Sequence, residues 1–290
     1  MISTEFIHPE DAKALAAIEK IPGARTLMKK FLELGYEKMY YGENMASQIR
    51  LSPTQLPHIY KHLPPICEKL GIEEPEFYLE MNPFPNAGTY GDTQIFISVT
   101  SGLIETMNDE ELDAVLAHEC GHIMCRHVLY HSLAKLLLKK GVDLGLLGDI
   151  ATPLLLAIFY WHRKSELSCD RVAALVTSPE TVASFMARLA GGPRSITDNI
   201  NLQEWAAQAD KYDEIYNDGL WNKTLMVYNT MLLDHPYAAV RVREVLNWAE
   251  TEQYARLKAS VPTITDQRCQ HCGRLIDTSW KYCRNCGNRI

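Results

Sequence analysis

Residues 108–127 read NDEELDAVLAHECGHIMCRH, and the reading of this segment decides how the rest of the chain is arranged. Asn108 is a favoured N-cap, and Asp109, Glu110 and Glu111 put negative charge in the first turn, where the helix dipole favours it. The spacing predicts a helix from Asp109 to about Lys140. Inside it lies His118-Glu119-Cys120-Gly121-His122. At ~100° per residue the two imidazoles return almost to one face, with Glu119 beside them. Two neutral ring nitrogens suit zinc, which takes a third protein ligand and keeps one position for water. Glu119 is then placed to take a proton from that water as general base.

Downstream, residues 165–170 read SELSCD. Glu166 and Asp170 are four apart, so on a helix both carboxylates face the same way. Glu166 can supply the third ligand, and Asp170 can accept the N–H of a ligating histidine and so fix its tautomer. Taken alone, such a pair is a common solvated helix face. The HExxH segment before it gives it weight.

Two β-rich stretches precede the helix, residues 76–81 (EFYLEM) and 93–100 (TQIFISVT), with the turn-rich NPFPNAGTYGD between them. The second is a candidate for pairing with an extended substrate if it lies at a sheet edge. Elsewhere apolar residues recur every three or four positions over 10–20, 24–40 and 55–70, again after residue 162, and from 180 to about 258. The fold class is therefore mainly α with a small β-sheet, an α+β arrangement. The most apolar segment, residues 141–161, is interrupted by Asp143, Asp149 and Pro153. Its longest charge-free run, 150–161, is too short for a span of roughly 20 residues. A buried or surface-docked helix is expected there, which leaves room for peripheral membrane contact.

The C-terminus has its own chemistry. Cys269 and Cys272, then Cys283 and Cys286, form two CxxC pairs, each followed by glycine. Two such knuckles hold four thiolates around one structural zinc, a short zinc ribbon. A module of this size buries too little surface to fold alone, so the metal supplies its folding energy. Residues 268–290 carry a local charge of +4, leaving −11 for the remainder of the chain. Four thiolates and one zinc contribute −2, which argues against nucleic-acid binding and favours a protein partner or a stabilising role for the ribbon.

In order along the chain, NPFPNAGTYGDTQIFISVTSGLIETMNDEELDAVLAHECGHIMCRH, SELSCDRVAAL and HPYAAVR resemble the gluzincin metallopeptidases that include HtpX and the CAAX prenyl proteases. The resemblance covers roughly residues 75–250. It implies a zincin-like fold, a catalytic zinc on His118, His122 and Glu166, and Glu119 as base. It also implies that His235 and Arg241 stabilise the oxyanion, a position where peptide hydrolysis needs a cationic or hydrogen-donating group. Arg241 is preferred to Arg243 by spacing. The transmembrane helices of the HtpX and prenyl-protease branches are missing from the sequence, so a soluble branch is the better match. Cys120 and Cys169 are read as small packing residues, and His127 and His131 as helix-face residues outside the ligand set.

Four regions follow: a helical N-terminal part over 1–74 packed on the body, the metallopeptidase body over 75–258, a linker over 259–267 and the ribbon over 268–290. At 290 residues, with 47% hydrophobic and 22% charged content, the chain is a folded protein rather than a disordered or fibrous one. The scattered cysteines Cys67, Cys120, Cys125 and Cys169 favour free thiols, and the N-terminus lacks an apolar run of signal-peptide length. Both point to the cytoplasm. The expected activity is zinc-dependent endopeptidase hydrolysis of protein or peptide substrates. The alternative is a latent or non-catalytic adaptor that binds partners through its ribbon.

Overall fold

The computed structural model describes residues 4–24, 26, 36–91, 93–132, 151–219, 221–222, 225–226, 237–277 and 279–290. Its principal helices are α1 (Pro9–Glu19), α2 (Tyr36–Ser47), α3 (Leu63–Leu70), α4 (Asp109–Met124), α5 (Ala151–Val176), α6 (Pro179–Gly191), α7 (Leu202–Asn217), α8 (Ala238–Ala249) and α9 (Glu252–Ala259). Short helices at Pro57–Tyr60, Ser101–Thr106 and Arg194–Thr197 lie between them.

The start of α4 is fixed as the sequence implies. The Glu111 N–H donates to Asn108 Oδ1 at 2.8 Å, and the Asn108 N–H donates to Glu111 Oε2 at 3.0 Å. This reciprocal cap satisfies two of the helix's orphan donors. Glu111 is itself buried and accepts from Arg188 Nε of α6 at 3.0 Å, so the cap also ties two helices together.

The end of α4 departs from expectation. The helix stops at Met124, Arg126 takes a left-handed φ of 59°, and a new helical turn begins at residue 128. A continuous helix to Lys140 would carry residue 127 ~140° around from His122. The break instead returns it towards that residue. Residues 133–140 lie outside those described.

Residues 151–161 of the apolar segment and the SELSCD segment, which periodicity separates, form one helix, α5, of 26 residues, and residues 141–150 lie outside those described. No glycine or proline follows Pro153 before its end, so nothing interrupts it. Its first half packs Leu154, Ile158 and Trp161 against Ala14 and Ile18 of α1. Its second half joins the main core through Val172, Ala173 and Leu175, with Leu112, Val115 and Leu116 of α4, Phe185 of α6 and Val242 and Val245 of α8. Among the described residues no helix is long and apolar enough to cross a membrane.

A mixed sheet covers the other side of α4. Its strands are β1 (Ile49–Arg50), β2 (Glu76–Glu80), β3 (Ala87–Tyr90) and β4 (Phe96–Thr100), in the order β1-β2-β4-β3. β2 and β4 run parallel from Glu76↔Phe96 to Glu80↔Thr100, and β3 pairs antiparallel with β4 from Ala87↔Val99 to Tyr90↔Phe96. β4 is thus internal and buried along its whole length, which removes it as a substrate-pairing edge. β3 was hidden in the turn-rich segment because Ala-Gly-Thr-Tyr has little strand propensity. Tertiary pairing makes it a strand.

The ribbon pairs β5 (Ile264–Arg268) with β6 (Leu275–Asp277). Residues 264–267 of the expected linker are therefore strand, and Ala259 closes α9. The module touches α3, where Arg274 Nη1 donates to Glu68 Oε1 at 3.2 Å.

Candidate active site

Helices α4 and α5 cross at very short range, and this closeness builds the site. A β-carbon on Gly121 would sit 3.0 Å from Cys169 Cα, a tight contact that would require the facing backbone to give by a few tenths of an ångström, so glycine permits the close crossing. On one side of it stand His118 and His122, one helical turn apart, their rings at 82° with centroids 5.0 Å apart. Facing them, the fully buried Glu166 presents one oxygen to each: Oε2 lies 3.4 Å from His118 Nε2, and Oε1 lies 3.4 Å from His122 Nε2.

These spacings fit a metal. Ligand atoms 2.0–2.1 Å from a tetrahedral zinc stand about 3.3 Å from one another, and the donors are two imidazole nitrogens and a carboxylate. Their surroundings are fixed as well. Asp170 Oδ1 lies 3.0 Å from His118 Nδ1, so Nε2 is the nitrogen that could coordinate a metal. Arg241 Nε and Nη2 donate to Asp170 at 2.8 and 2.6 Å, and Arg241 Nη1 lies 3.1 Å from Glu166 Oε2. Arg243, the neighbour that spacing rejected, pairs instead with Asp210 and Asp213 at the surface.

The charges respond to one another. Burial alone pushes His118 down, but Glu166 and Asp170 outweigh it and push the imidazole up to about 9. Burial pushes Asp170 up, and Arg241 outweighs that, holding the carboxyl below its usual range. Glu119, also buried, accepts from Thr89 Oγ1 at 2.6 Å. Thr89 lies on β3, and neither it nor the strand was legible in the sequence. A narrow pocket of about 10 Å³, lined by Ala87, Leu103, Val115, Phe185 and Leu189, opens against His118, Glu119 and Arg241.

The family model for peptidase family M48 matches residues 57–249, about two thirds of the chain and all of this constellation. The chain belongs to peptidase family M48. It is a metallopeptidase. The chain is 34% identical to the plastoglobule-localized metallopeptidase 48 of Arabidopsis thaliana over 258 residues, 87% of this chain and 74% of that protein. It is also 34% identical to a protease HtpX homolog of Pelotomaculum thermopropionicum over 101 residues, 33% of this chain and 36% of that one. A second HtpX homolog, from Sulfurovum, is 27% identical over 56% of this chain and 68% of its own length. No solved structure matches the chain.

In this M48 peptidase the late His-Pro motif cannot be placed, since His235 and Pro236 lie outside the described residues. The sequence reading passed over His127 and Asp11. His127 is buried with its Nδ1 3.4 Å from His122 Nδ1, and its Nε2 lies 3.1 Å from Asp11 Oδ2. No motif could have linked Asp11 to residues more than a hundred positions away.

The ribbon forms a second cluster. Sγ of Cys269 lies 3.7 Å from Sγ of Cys286, and Sγ of Cys272 lies 3.6 Å from Sγ of Cys283. Sulfurs 2.3 Å from a tetrahedral zinc stand about 3.8 Å apart, so all four cysteines fit the metal. The two knuckles repeat one geometry: the N–H of Gly273 donates to Cys269 O and that of Gly287 to Cys283 O, with φ of 74° and 73°. The backbone N–H of Arg274 leads in lowering the Cys272 thiol, whereas burial raises that of Cys283, whose sulfur lies 3.6 Å away.

Proposed function

We propose that the protein is a zinc-dependent endopeptidase. His118, His122 and Glu166 hold one catalytic zinc, and Cys269, Cys272, Cys283 and Cys286 hold one structural zinc. The observation that carries this reading is the meeting of two Nε2 atoms with the two oxygens of one buried carboxylate, each pair at 3.4 Å.

Zinc supplies a Lewis acid that lowers the pKa of water and polarises a peptide carbonyl. The chain supplies the rest. Glu119 takes the water's proton and returns it to the leaving amine, and the Thr89 hydroxyl bonded to Oε2 fixes the carboxylate's rotamer for that transfer. Asp170 sets the tautomer of His118. Arg241 clamps Glu166 and Asp170 together. Stabilising the oxyanion is proposed for His235, with Arg241 contributing charge from behind the carboxylates. The substrates proposed are proteins and peptides, and the ribbon, seated on α3, is proposed as a docking point for a protein partner.

The buried thiols Cys67, Cys120 and Cys169 suit a reducing compartment, and the cytoplasm is proposed on that ground. The Arabidopsis relative is by its name a plastoglobule protein of the chloroplast. Fractionation of cells would distinguish the two settings.

The test is a mass-spectrometric time course on a peptide mixture and an unfolded protein, with wild type and Glu119→Gln. Cleavage by wild type alone supports the reading. A second reading, a latent protease, draws on the narrowness of the pocket beside Glu119. No cleavage by either protein, with two zincs bound, would favour it.

A further inference from the structure

The two ligating histidines have different neighbours behind them. His118 leans on Asp170, which is four residues from Glu166 on the same helix. His122 has no carboxylate of that kind on α5. Its Nδ1 faces His127 Nδ1 at 3.4 Å and Cys169 Sγ at 3.3 Å. Behind His127 stands Asp11 of α1, with Oδ2 3.1 Å from His127 Nε2. Asp11 is buried, and it also accepts from Trp161 Nε1 at 2.9 Å and from the Ser168 hydroxyl.

The hydrogens along this chain can be assigned in one direction. Burial pushes the Asp11 carboxyl up, but the bonds from His127, Ser168 and Trp161 outweigh it and keep the group ionised. A carboxylate only accepts, so the His127 ring donates from Nε2 to Asp11, and its Nδ1 is the atom turned to His122. His122 turns Nε2 to Glu166 and the metal position, so its Nδ1 bears the hydrogen and faces Nδ1 of His127 at 3.4 Å. Cys169 Sγ is the other neighbour of that nitrogen, at 3.3 Å, and sulfur is a weak acceptor. The register depends on the break after α4: Arg126 at φ 59° is what turns His127 back beneath His122.

We infer that Asp11 and His127 are positioning residues of the metal centre, forming an Asp11–His127–His122 relay through which the N-terminal helix orients the second imidazole ligand. This rests on His122 being a ligand, as proposed above. The N-terminal helix is then part of the active site rather than a lead-in to it. Partners of this kind change metal affinity by about 10–100-fold when removed.

The test follows zinc release from the full-length, zinc-loaded chain into excess chromophoric chelator, with release from the ribbon as internal reference. Asp11→Asn and His127→Phe should speed release from the body about 10–100-fold and leave the ribbon's phase unchanged. His127→Gln, whose amide can both accept and donate, should recover part of the difference. Trp161→Phe removes a different partner of Asp11 and should lower thermal stability without changing zinc release. Cobalt in the body site should show a shifted visible spectrum in Asp11→Asn and His127→Phe but not in Trp161→Phe. If Asp11→Asn does not fold, the two His127 variants decide. Unchanged body release in the folded variants overturns the relay, as does equal acceleration in Trp161→Phe. Loss of a third zinc equivalent in His127→Phe also overturns it, because His122, His127 and His131 would then be a metal site of their own. Retention of body zinc by His122→Ala would instead defeat the ligand assignment beneath it.

Discussion

Arg241 grips Asp170 through two parallel hydrogen bonds, Nε to Oδ2 at 2.8 Å and Nη2 to Oδ1 at 2.6 Å, with both side chains buried. A guanidinium from α8 is thereby locked to the carboxylate that orients a histidine of α4, while its third nitrogen reaches Glu166. Arg241→Met should leave two buried carboxylates without their cation. Stability should fall by about 3–5 kcal/mol, measured by denaturant unfolding, and zinc affinity should fall with it. Arg243→Met, at the surface, should change stability by less than about 1 kcal/mol.

Thr89 reaches Glu119 from a different element, and its removal separates catalysis from metal binding. Thr89→Val keeps the shape but loses the hydroxyl that donates at 2.6 Å. A hydrogen bond to a charged group contributes about 1.5–3 kcal/mol, so kcat should fall about 10–100-fold. Zinc content, read by metal analysis, should stay at the wild-type value. A variant that loses zinc in proportion to its activity would refute this division of roles.

Gly121 is the contact point of α4 and α5. In Gly121→Ala the added methyl meets Cys169 Cα at 3.0 Å, and two helix backbones must move apart to admit it. Overpacking of this kind costs about 1–3 kcal/mol. Because the same crossing brings His122 to Glu166, zinc binding should weaken beyond what a surface glycine change such as Gly42→Ala produces. Equal zinc affinity in the two variants would contradict it.

Where His118 holds zinc as proposed, protons compete with the metal for it. In the metal-free protein Glu166 and Asp170 outweigh burial and push this imidazole up to about 9, whereas burial lowers His122. Below pH of about 9 zinc must displace one proton from His118. Affinity should therefore rise about tenfold per pH unit up to that point and level off above it. Competition titrations with a chelator between about pH 6.5 and 9.5 would reveal the slope. In Glu166→Gln the slope should move to lower pH, since the largest raising influence is gone.

The ribbon should fold with its metal and the body without it. Cys283→Ser should lower zinc content by one equivalent and expose β5 and β6 to proteolysis, while unfolding of residues 57–249 changes little. Loss of body stability of more than about 2 kcal/mol would mean that the contact of Arg274 with Glu68 matters more than its exposed setting implies.

Much of this protein is determined by sequence alone, wherever the chemistry is local. The HExxH spacing, the ExxxD spacing, the Asn108–Glu111 cap and the paired CxxC knuckles are periodicities of one helix turn or one tight turn, so neighbouring residues define them completely. Tertiary structure decided the rest. β3 is a strand only because β4 offers it an edge, and α5 is one helix because two separate cores fill its two halves. The helix break at Arg126 turns His127 under His122, a change of direction that no hydrophobic pattern announces. Asp11, Thr89 and Arg241 reach the site from three distant elements. Long-range packing places them, and the energy that holds them comes from buried charges and hydrogen bonds whose partners are not neighbours in the chain.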